Sequence, residues 1–207
     1  MRSAAKLGVF VTVLFVVLAS GVSAGAAGQS CGARQLSQPF LPWLDPAHYF
    51  LLPGGDFESA SAWTLSGGAR VVSGNEPFMV GGASHSRSLL IPSGGSAWSA
   101  PECVDGDELT LRFFARNTGS MLSVLVVEAR VRTTVLGATT ETTLPLGVVL
   151  GTARTWQPSL PVVFAVSVNQ LLGGTTTVDF RFRPVGLGGS WQIDDVYVDP
   201  FKDRAAA

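Results

Sequence analysis

The stretch LSVLVVEARVRTT, Leu122–Thr134, decides the fold class of this 207-residue chain. Towards its end Val127, Ala129 and Val131 alternate with charged residues, which is the period of a strand with one buried face. Other segments are also rich in Thr, Val and Phe and are separated by glycines. They are Glu108–Asn117, Thr139–Leu150, Ser159–Val168, Thr175–Gly186 and Ser190–Asp199. The pattern predicts an all-β domain, an antiparallel two-sheet β-sandwich or jelly roll. A short helical crossover is expected at Ala165–Leu172, before a Gly-Gly pair.

The N-terminus has the pattern of a secretory signal peptide. Two basic residues precede the apolar run Leu7–Ala19, and Val22 and Ala24 fit a small-x-small cleavage site. A membrane anchor needs roughly 20 apolar residues, and this run is shorter. A lipoprotein signal ending at Cys31 lacks the usual aliphatic residue three positions upstream. We therefore predict that residues 1–24 are removed and that the protein is secreted to the extracellular space.

The charge balance excludes several classes of partner. The precursor has 15 acidic and 14 basic residues, a net charge of −1, and loss of two basic residues with the signal peptide makes it more negative. No basic patch for nucleic acid or for anionic lipid is present. We expect a Pro-rich N-terminal arm at 25–50, one sandwich domain at 51–200 and a short tail at 201–207.

Two cysteines, Cys31 and Cys103, remain after cleavage. In an oxidising compartment a disulfide is the default for such a pair. A loop of this length contributes about 4 kcal/mol in the chain-entropy model. The bond is expected to tether the arm, which contains QPFLPWLDPAHYF at Gln38–Phe50, to the sandwich.

Short motifs near both ends of the predicted sandwich domain follow one another in a recognisable order. The residues concerned are Gly55, Asp56, Phe57, Glu58, Trp63, Ser88, Leu89, Leu90, Ile193, Asp194, Asp195, Val196 and Val198. This order of a GDFE opening, a Trp, a Ser-Leu strand and a terminal IDDV strand resembles the carbohydrate-binding modules of galactose-binding-like jelly-roll fold found beside many secreted glycanases. The resemblance implies that the first strand, near Glu58, meets the last strand, near Asp195, and that a structural calcium ion lies there.

The paired aspartates of the IDDV segment also need a physical explanation. Alternation along a strand sends Asp194 and Asp195 to opposite faces, and a buried carboxylate requires a partner. Calcium, which takes oxygen ligands, is one such partner. The predicted ligand set is Asp56, Glu58, Asp194 and Asp195. The alternative is that an aspartate pairs with an arginine such as Arg112 or Arg181, or accepts backbone N–H bonds, while the other is solvated.

Aromatic residues near loop edges are the predicted sugar platforms. Trp98 in GGSAWSA and Trp156 in GTARTWQP are better placed for exposure than Trp63 and Trp191, although most tryptophans in a sandwich fill the core. The polar residues predicted to add hydrogen bonds to a sugar are Arg112, Arg116 and Asn117. Charged residues on a sheet face are more often only solvated.

No catalytic constellation is evident in the sequence. The DGDEL segment, Asp105–Leu109, has carboxylates but is typical of a turn before a strand. There is neither a G-x-S-x-G nucleophile elbow nor a zinc-spaced His/Cys cluster. The sequence favours a secreted, non-catalytic binding module for a glycan or cell-surface polymer. The alternative is a structural or adhesive envelope protein that uses the sandwich for protein contacts.

Overall fold

A computed structural model describes residues 31–104, 108–163 and 174–200. The predicted signal peptide, the helical crossover at 165–172 and the tail at 201–207 lie outside these residues. Short 3-10 turns occur at Leu41–Trp43 and Ala60–Ala62, and the regular elements are otherwise strands. Within the described ranges no helix has the length and apolar character to cross a membrane.

The strands of the described residues are numbered in chain order. They are β1 Phe50–Leu51, β2 Thr64–Ser66, β3 Arg70–Ser73, β4 Arg87–Pro92, β5 Ser96–Trp98, β6 Glu102–Val104, β7 Glu108–Asn117, β8 Ser123–Val135, β9 Ala138–Val149, β10 Gln157–Pro158, β11 Val162–Val163, β12 Thr175–Gly186 and β13 Ser190–Pro200.

These strands form two antiparallel sheets. Sheet 1 has the order β10-β7-β13-β4-β3, with β1 also on β13 and β11 also on β7. Sheet 2 has the order β2-β5-β12-β8-β9, with β6 also on β12. The longest pairing joins β8 and β12, from Thr134 opposite Thr175 to Ser123 opposite Gly186. The prediction of an all-β, two-sheet antiparallel sandwich is confirmed.

Apolar side chains on the facing sides of the two sheets form the core. Along β8 the buried residues Leu125, Val127 and Ala129 alternate with half-buried polar or apolar neighbours, as the sequence period predicts. Across the core, the rings of Phe113 and Phe182 meet edge to face with centroids 4.9 Å apart. Interdigitation of such large residues is the main stabilisation of a sandwich.

The N-terminal arm packs on the outer face of sheet 1. Phe40 and Tyr49 of the arm form a buried cluster with Phe114 of β7 and Tyr197 of β13. The ring of Phe40 stacks on that of Phe114 with centroids 5.5 Å apart. This second apolar cluster covers part of the sheet face that would otherwise be solvated.

The predicted disulfide is confirmed. Cys31 and Cys103 are bonded, with Cα atoms 5.6 Å apart and a separation of 72 positions in sequence. The bond joins the beginning of the described arm to β6. Arg34 also donates a hydrogen bond to the carbonyl of Cys103, so the arm is held at this end by covalent and polar contacts.

A β-bulge interrupts β13 at the paired aspartates. Asp194 lies opposite Phe114 and Tyr197 lies opposite Arg112, so two residues of β13 face one of β7 between these pairs. Asp195 has a left-handed backbone, with φ 47°. The bulge breaks the alternation of side chains, and both aspartates are fully buried. Regular alternation, from which opposite faces were expected, therefore does not hold at this bulge. The alternative in which one aspartate is solvated is wrong, because both are buried.

Candidate functional site

The loop between β3 and β4, residues 74–86, covers both aspartates. Asp194 accepts hydrogen bonds from the backbone N–H of Glu76, at 3.0 Å, and from that of Asp195, at 3.0 Å. Asp195 accepts one from Gly81 N–H at 3.1 Å through its Oδ2 atom. Backbone amides, which were one of the predicted alternatives, therefore bind these carboxylates. Arg112 pairs instead with Asp45.

Glu76 adds a third buried carboxylate to this region. It is 1% exposed, and its Oε1 atom accepts a hydrogen bond from Val80 N–H at 2.6 Å, while Oε2 accepts one from Phe78 N–H. Its carboxylate therefore holds the loop segment that follows it. Sequence reasoning missed Glu76, although an acidic residue within the otherwise uncharged NEPFMVGG segment was a usable signal.

Burial and the charges of neighbouring carboxylates raise the pKa values of the two aspartates. Burial, and next the charge of Asp195, raises the pKa of Asp194 to about 9. Burial, and next the charge of Glu76, raises the pKa of Asp195 to about 7. Backbone N–H bonds act in the opposite direction on both groups. The region therefore disfavours the accumulation of negative charge unless a cation or proton is present.

Two polar atoms next to Gly81 have no hydrogen-bond partner among the described residues. Asp195 Oδ1 and His85 Nδ1 are buried and unpartnered, and each lies 2.6 Å from the point where a Cβ atom on Gly81 would stand. The other ring nitrogen, His85 Nε2, is 4.0 Å from Asp56 Oδ2. The missing side chain of Gly81 thus makes room for a carboxylate and an imidazole beneath the loop.

These residues fit the predicted calcium set only in part. Asp195 Oδ1 is available to a cation, and Asp56 lies on the same side through its contact with His85. Glu58 is used elsewhere, because its carboxylate accepts N–H bonds from Ser86 and Arg87 at 2.6 and 2.8 Å. In the described part of the chain, no group of three or more His, Cys, Asp or Glu side chains is arranged to hold a metal ion. Calcium therefore stays a prediction.

The first strand, β1, does pair with the last strand, β13. The expectation that this first strand lies near Glu58 is wrong, because residues 53–58 form a turn after β1. This turn also contacts β13. The contact runs through the backbone of Val196, whose carbonyl accepts from Leu52 N–H at 2.9 Å and whose N–H donates to Gly55 O at 3.0 Å. A Cβ atom on Gly55 would lie 2.9 Å from Val196 O, so only glycine allows this close approach. Glu58 itself extends towards β4.

Two of the residues predicted to contact a sugar are buried in the fold. Arg112 is 5% exposed, bonds to Asp45 at 2.6 Å and donates twice to Ser159 O. Asn117 is 1% exposed and donates to the carbonyls of Ser120 and Gly151. Both side chains fasten loops to β7 and offer almost no surface to a ligand.

Trp156 and Arg116 lie together on the outer face of sheet 1. Both are half-buried, and the Arg116 guanidinium lies over the Trp156 ring, 5.0 Å from its centroid. Arg116 Nε also donates to Gln192 Oε1. Trp156 packs beside the arm cluster of Phe40 and Tyr197, so its apolar surface is partly used for docking the arm.

Trp98 lies on the opposite side of the molecule, on the outer face of sheet 2. It is half-buried and pairs with Thr64 of β2 on one side and Arg181 of β12 on the other. The guanidinium carbons of Arg130 and Arg181 lie 4.4 and 5.4 Å from its ring centroid. Of the predicted sugar contacts, Trp98 is therefore on sheet 2 and the other four are on sheet 1.

A pocket of about 430 Å³ adjoins Trp98. The residues that line it include Trp98, Arg130, Trp63 and Thr64, and the segment Ser99–Pro101. Trp63 is nearly buried and anchored by its Nε1 bond to Pro53 O at 3.1 Å. The pocket thus combines aromatic surface with polar groups, the composition typical of a small-ligand site.

Charged side chains continue this face across β12, β8 and β9. Asp179, which is fully buried, binds Arg130 and Arg132, and Arg132 also binds Glu141 at 2.8 Å. Glu128 accepts two bonds from Arg183, at 3.1 and 2.8 Å. From the sequence, the charges of β8 were used only to show the polar side of an alternating strand, without partners. The matching E-x-R-x-R and D-x-R-x-R patterns of two adjacent strands were the signal for cross-strand pairing.

Some solved structures are similar to this chain. TmCBM61 in complex with β-1,4-galactotriose is 14% identical over 72% of this chain and 97% of that chain, with a TM-score of 0.37. The CBM22-1–CBM22-2 tandem domain of Paenibacillus barcinonensis Xyn10C is 15% identical over 70% of this chain and 48% of that chain, with a TM-score of 0.46. Carbohydrate-binding modules predominate among the similar structures.

An enzyme structure is also similar. Arabinose-bound MgGH51 α-L-arabinofuranosidase is 18% identical over 75% of this chain, with a TM-score of 0.45, and the chain spans 27% of the length of that enzyme. No protein-family model and no curated protein sequence matches the chain.

Proposed function

We propose that the protein is a secreted, non-catalytic module that binds a glycan on the outer face of sheet 2. The observation that carries this proposal is the position of Trp98, half-buried beside a pocket of about 430 Å³ and flanked by two arginines. An indole held in place by guanidinium stacking is a rigid platform for an apolar sugar face. The sequence resemblance to carbohydrate-binding modules supports the same ligand class.

The remaining parts of the proposal come from the sequence. The N-terminal signal pattern supports secretion to the extracellular space. The absence of a nucleophile elbow from the sequence supports binding without catalysis, and the negative net charge argues against nucleic acid as the ligand.

A glycan-array screen of residues 25–207 tests the proposal, with Trp98→Ala as the binding variant. Loss of the indole is expected to weaken binding about tenfold or more, which corresponds to about 1.4 kcal/mol. Trp156→Ala is the matched control, because Trp156 is also half-buried but lies on sheet 1. Equal binding by wild type and Trp98→Ala, or loss with Trp156→Ala alone, contradicts the assignment to sheet 2.

One observation favours the alternative of a structural or adhesive protein. A groove of about 570 Å³ between the end of β9 and residues 157–163 is lined mainly by apolar side chains. Leu150, Leu160 and Val163 beside it are 62%, 84% and 63% exposed, and exposed apolar patches often mark protein contacts. Two results together would support this second function. The protein would bind no glycan on the array, and it would self-associate in sedimentation analysis in a way that Leu160→Ser abolishes.

A further inference from the structure

The charged face of sheet 2 is not electrically balanced. Among the outward-facing residues of β8, β9 and β12 that the structure describes are four arginines and three acidic residues, namely Arg130, Arg132, Arg181, Arg183, Glu128, Asp179 and Glu141. The face therefore has a surplus positive charge, although the whole chain has a net charge of −1. A local surplus of this sign attracts anions.

The acidic residues are distributed unequally among these arginines. Arg130 and Arg132 are bonded to Asp179, and Arg183 makes two bonds to Glu128. Arg181 has a weaker contact, with its Nη1 atom 3.4 Å from Glu128 Oε2. Its Nε atom is buried and has no hydrogen-bond partner. Arg181 is thus the member of the network whose donors are least satisfied.

The guanidinium of Arg181 has a defined chemical preference. Its Nε atom is closed to a ligand, but the side chain as a whole is 33% exposed. The accessible N–H groups of a guanidinium bind a carboxylate or a sulfate more strongly than a neutral oxygen. An anionic group at this position would also neutralise the surplus charge, whereas a neutral hydroxyl would leave the charge unbalanced.

Arg181 is also adjacent to the proposed sugar platform. It lies directly opposite Trp98 in the pairing of β12 with β5, and its guanidinium carbon is 5.4 Å from the indole centroid. A sugar ring on Trp98 therefore places its substituents within reach of Arg181. We infer that the glycan bound on sheet 2 carries an anionic group, a carboxylate or a sulfate ester, that pairs with Arg181. This inference rests on the proposed glycan-binding function.

Matched polymers test the inference on the wild-type protein. The carboxylate pair is polygalacturonate and the same polymer after reduction of its carboxyl groups to alcohols, and the sulfate pair is dextran sulfate and dextran. Binding of a charged member at least about tenfold tighter than its neutral partner, with affinity that falls as salt rises, is the expected result. The pair that shows the difference identifies the anionic group.

A glycan array that carries uronic-acid, sulfated and neutral glycans separates the two proposals. Binding of neutral glycans alone overturns the anionic inference and leaves the glycan-binding function in place. Binding of no glycan overturns both.

Variants locate the anionic contact. Arg181→Gln is expected to weaken binding of the charged polymer about tenfold or more. Arg181→Lys keeps the positive charge but lacks the planar guanidinium, so it is expected to keep only part of the wild-type affinity. Arg70→Gln is the control, because it makes the same charge change at an exposed position on sheet 1. Equal losses with Arg181→Gln and Arg70→Gln would show a non-specific charge effect and overturn the role of Arg181. Melting temperatures of all variants report whether the fold is retained.

Discussion

The carboxylates of Asp194 and Asp195 both bind the same loop, through the backbone amides of Glu76 and Gly81. Consecutive residues of a regular strand do not share a partner in this way. The left-handed backbone of Asp195 makes it possible, and aspartate adopts this conformation more readily than most residues. The terminal strand and the loop at 74–86 are therefore held together by hydrogen bonds to two buried carboxyl groups.

The first prediction concerns the space at Gly81. In Gly81→Ala the new Cβ would lie 2.6 Å from both Asp195 Oδ1 and His85 Nδ1, so at least one of these side chains must move. We expect a loss of about 1–3 kcal/mol in the free energy of unfolding, measured by urea titration at constant pH. Gly32→Ala is the control, because no atom lies within 4 Å of its added Cβ. Equal stability of both variants would mean that the loop adjusts without cost.

The second prediction concerns calcium. We expect the melting temperature of the wild type to be about 5–10 °C higher in calcium at a hundred times its Kd than in a chelator. Asp195→Asn should abolish this difference, because it removes the charge of the carboxylate that has an unpartnered oxygen. In the chelator the same variant should melt higher than the wild type, since it removes a buried negative charge repelled by Glu76.

Glu141→Gln is the matched control for the calcium prediction. Glu141 is exposed on sheet 2 and binds Arg132 at 2.8 Å, so its loss of charge should leave the calcium response intact. A wild-type melting temperature that is the same in calcium and in chelator would rule out a stabilising calcium site.

Strand identity could be predicted because it depends on local sequence. The period of β8, the bounds of β7 and the course of β12 follow from alternating apolar residues and from glycines at turns. The disulfide could be predicted because the chain has only two cysteines. The bulge at Asp195 could not be predicted, since it depends on the loop at 74–86. This loop lies more than a hundred residues away in sequence, and the backbone N–H of its Gly81 donates to Asp195.

The candidate sites show the same limit. Trp98 was expected near a loop edge from the Gly-Gly and Ser residues around it, and it is half-buried. Arg112 was not recognised as buried, because its partners Asp45 and Ser159 come from the arm and from a distant loop. The sequence predicts that a residue lies on a strand, but tertiary packing decides which other segment covers its side chain.

The third prediction concerns acid stability through Glu128. Its hydrogen bonds and ion pairing with Arg183, partly opposed by burial, hold its pKa below the ordinary value of 4.5. A lowered carboxyl pKa stabilises the fold above the unfolded value, and this stabilisation is lost as the pH falls through the folded value. Glu128→Gln should therefore cost about 2 kcal/mol at pH 7, and this cost should shrink as the pH falls below 4.5 and through the lowered pKa of Glu128. Unfolding free energies across this range test it; a cost independent of pH would contradict it.

The fourth prediction concerns the link between the arm and the sandwich. Breaking the Cys31–Cys103 bond, which closes a loop of 72 residues, should lower the free energy of unfolding by about 4 kcal/mol. The double variant Cys31→Ser with Cys103→Ser and the wild type in a reducing agent should give the same loss in urea titrations. The buried cluster of Phe40, Tyr49 and Phe114 should keep the arm docked in the native state, so tyrosine fluorescence should not change before global unfolding. An earlier, separate transition of the arm would show that the disulfide, and not the aromatic cluster, holds it on sheet 1.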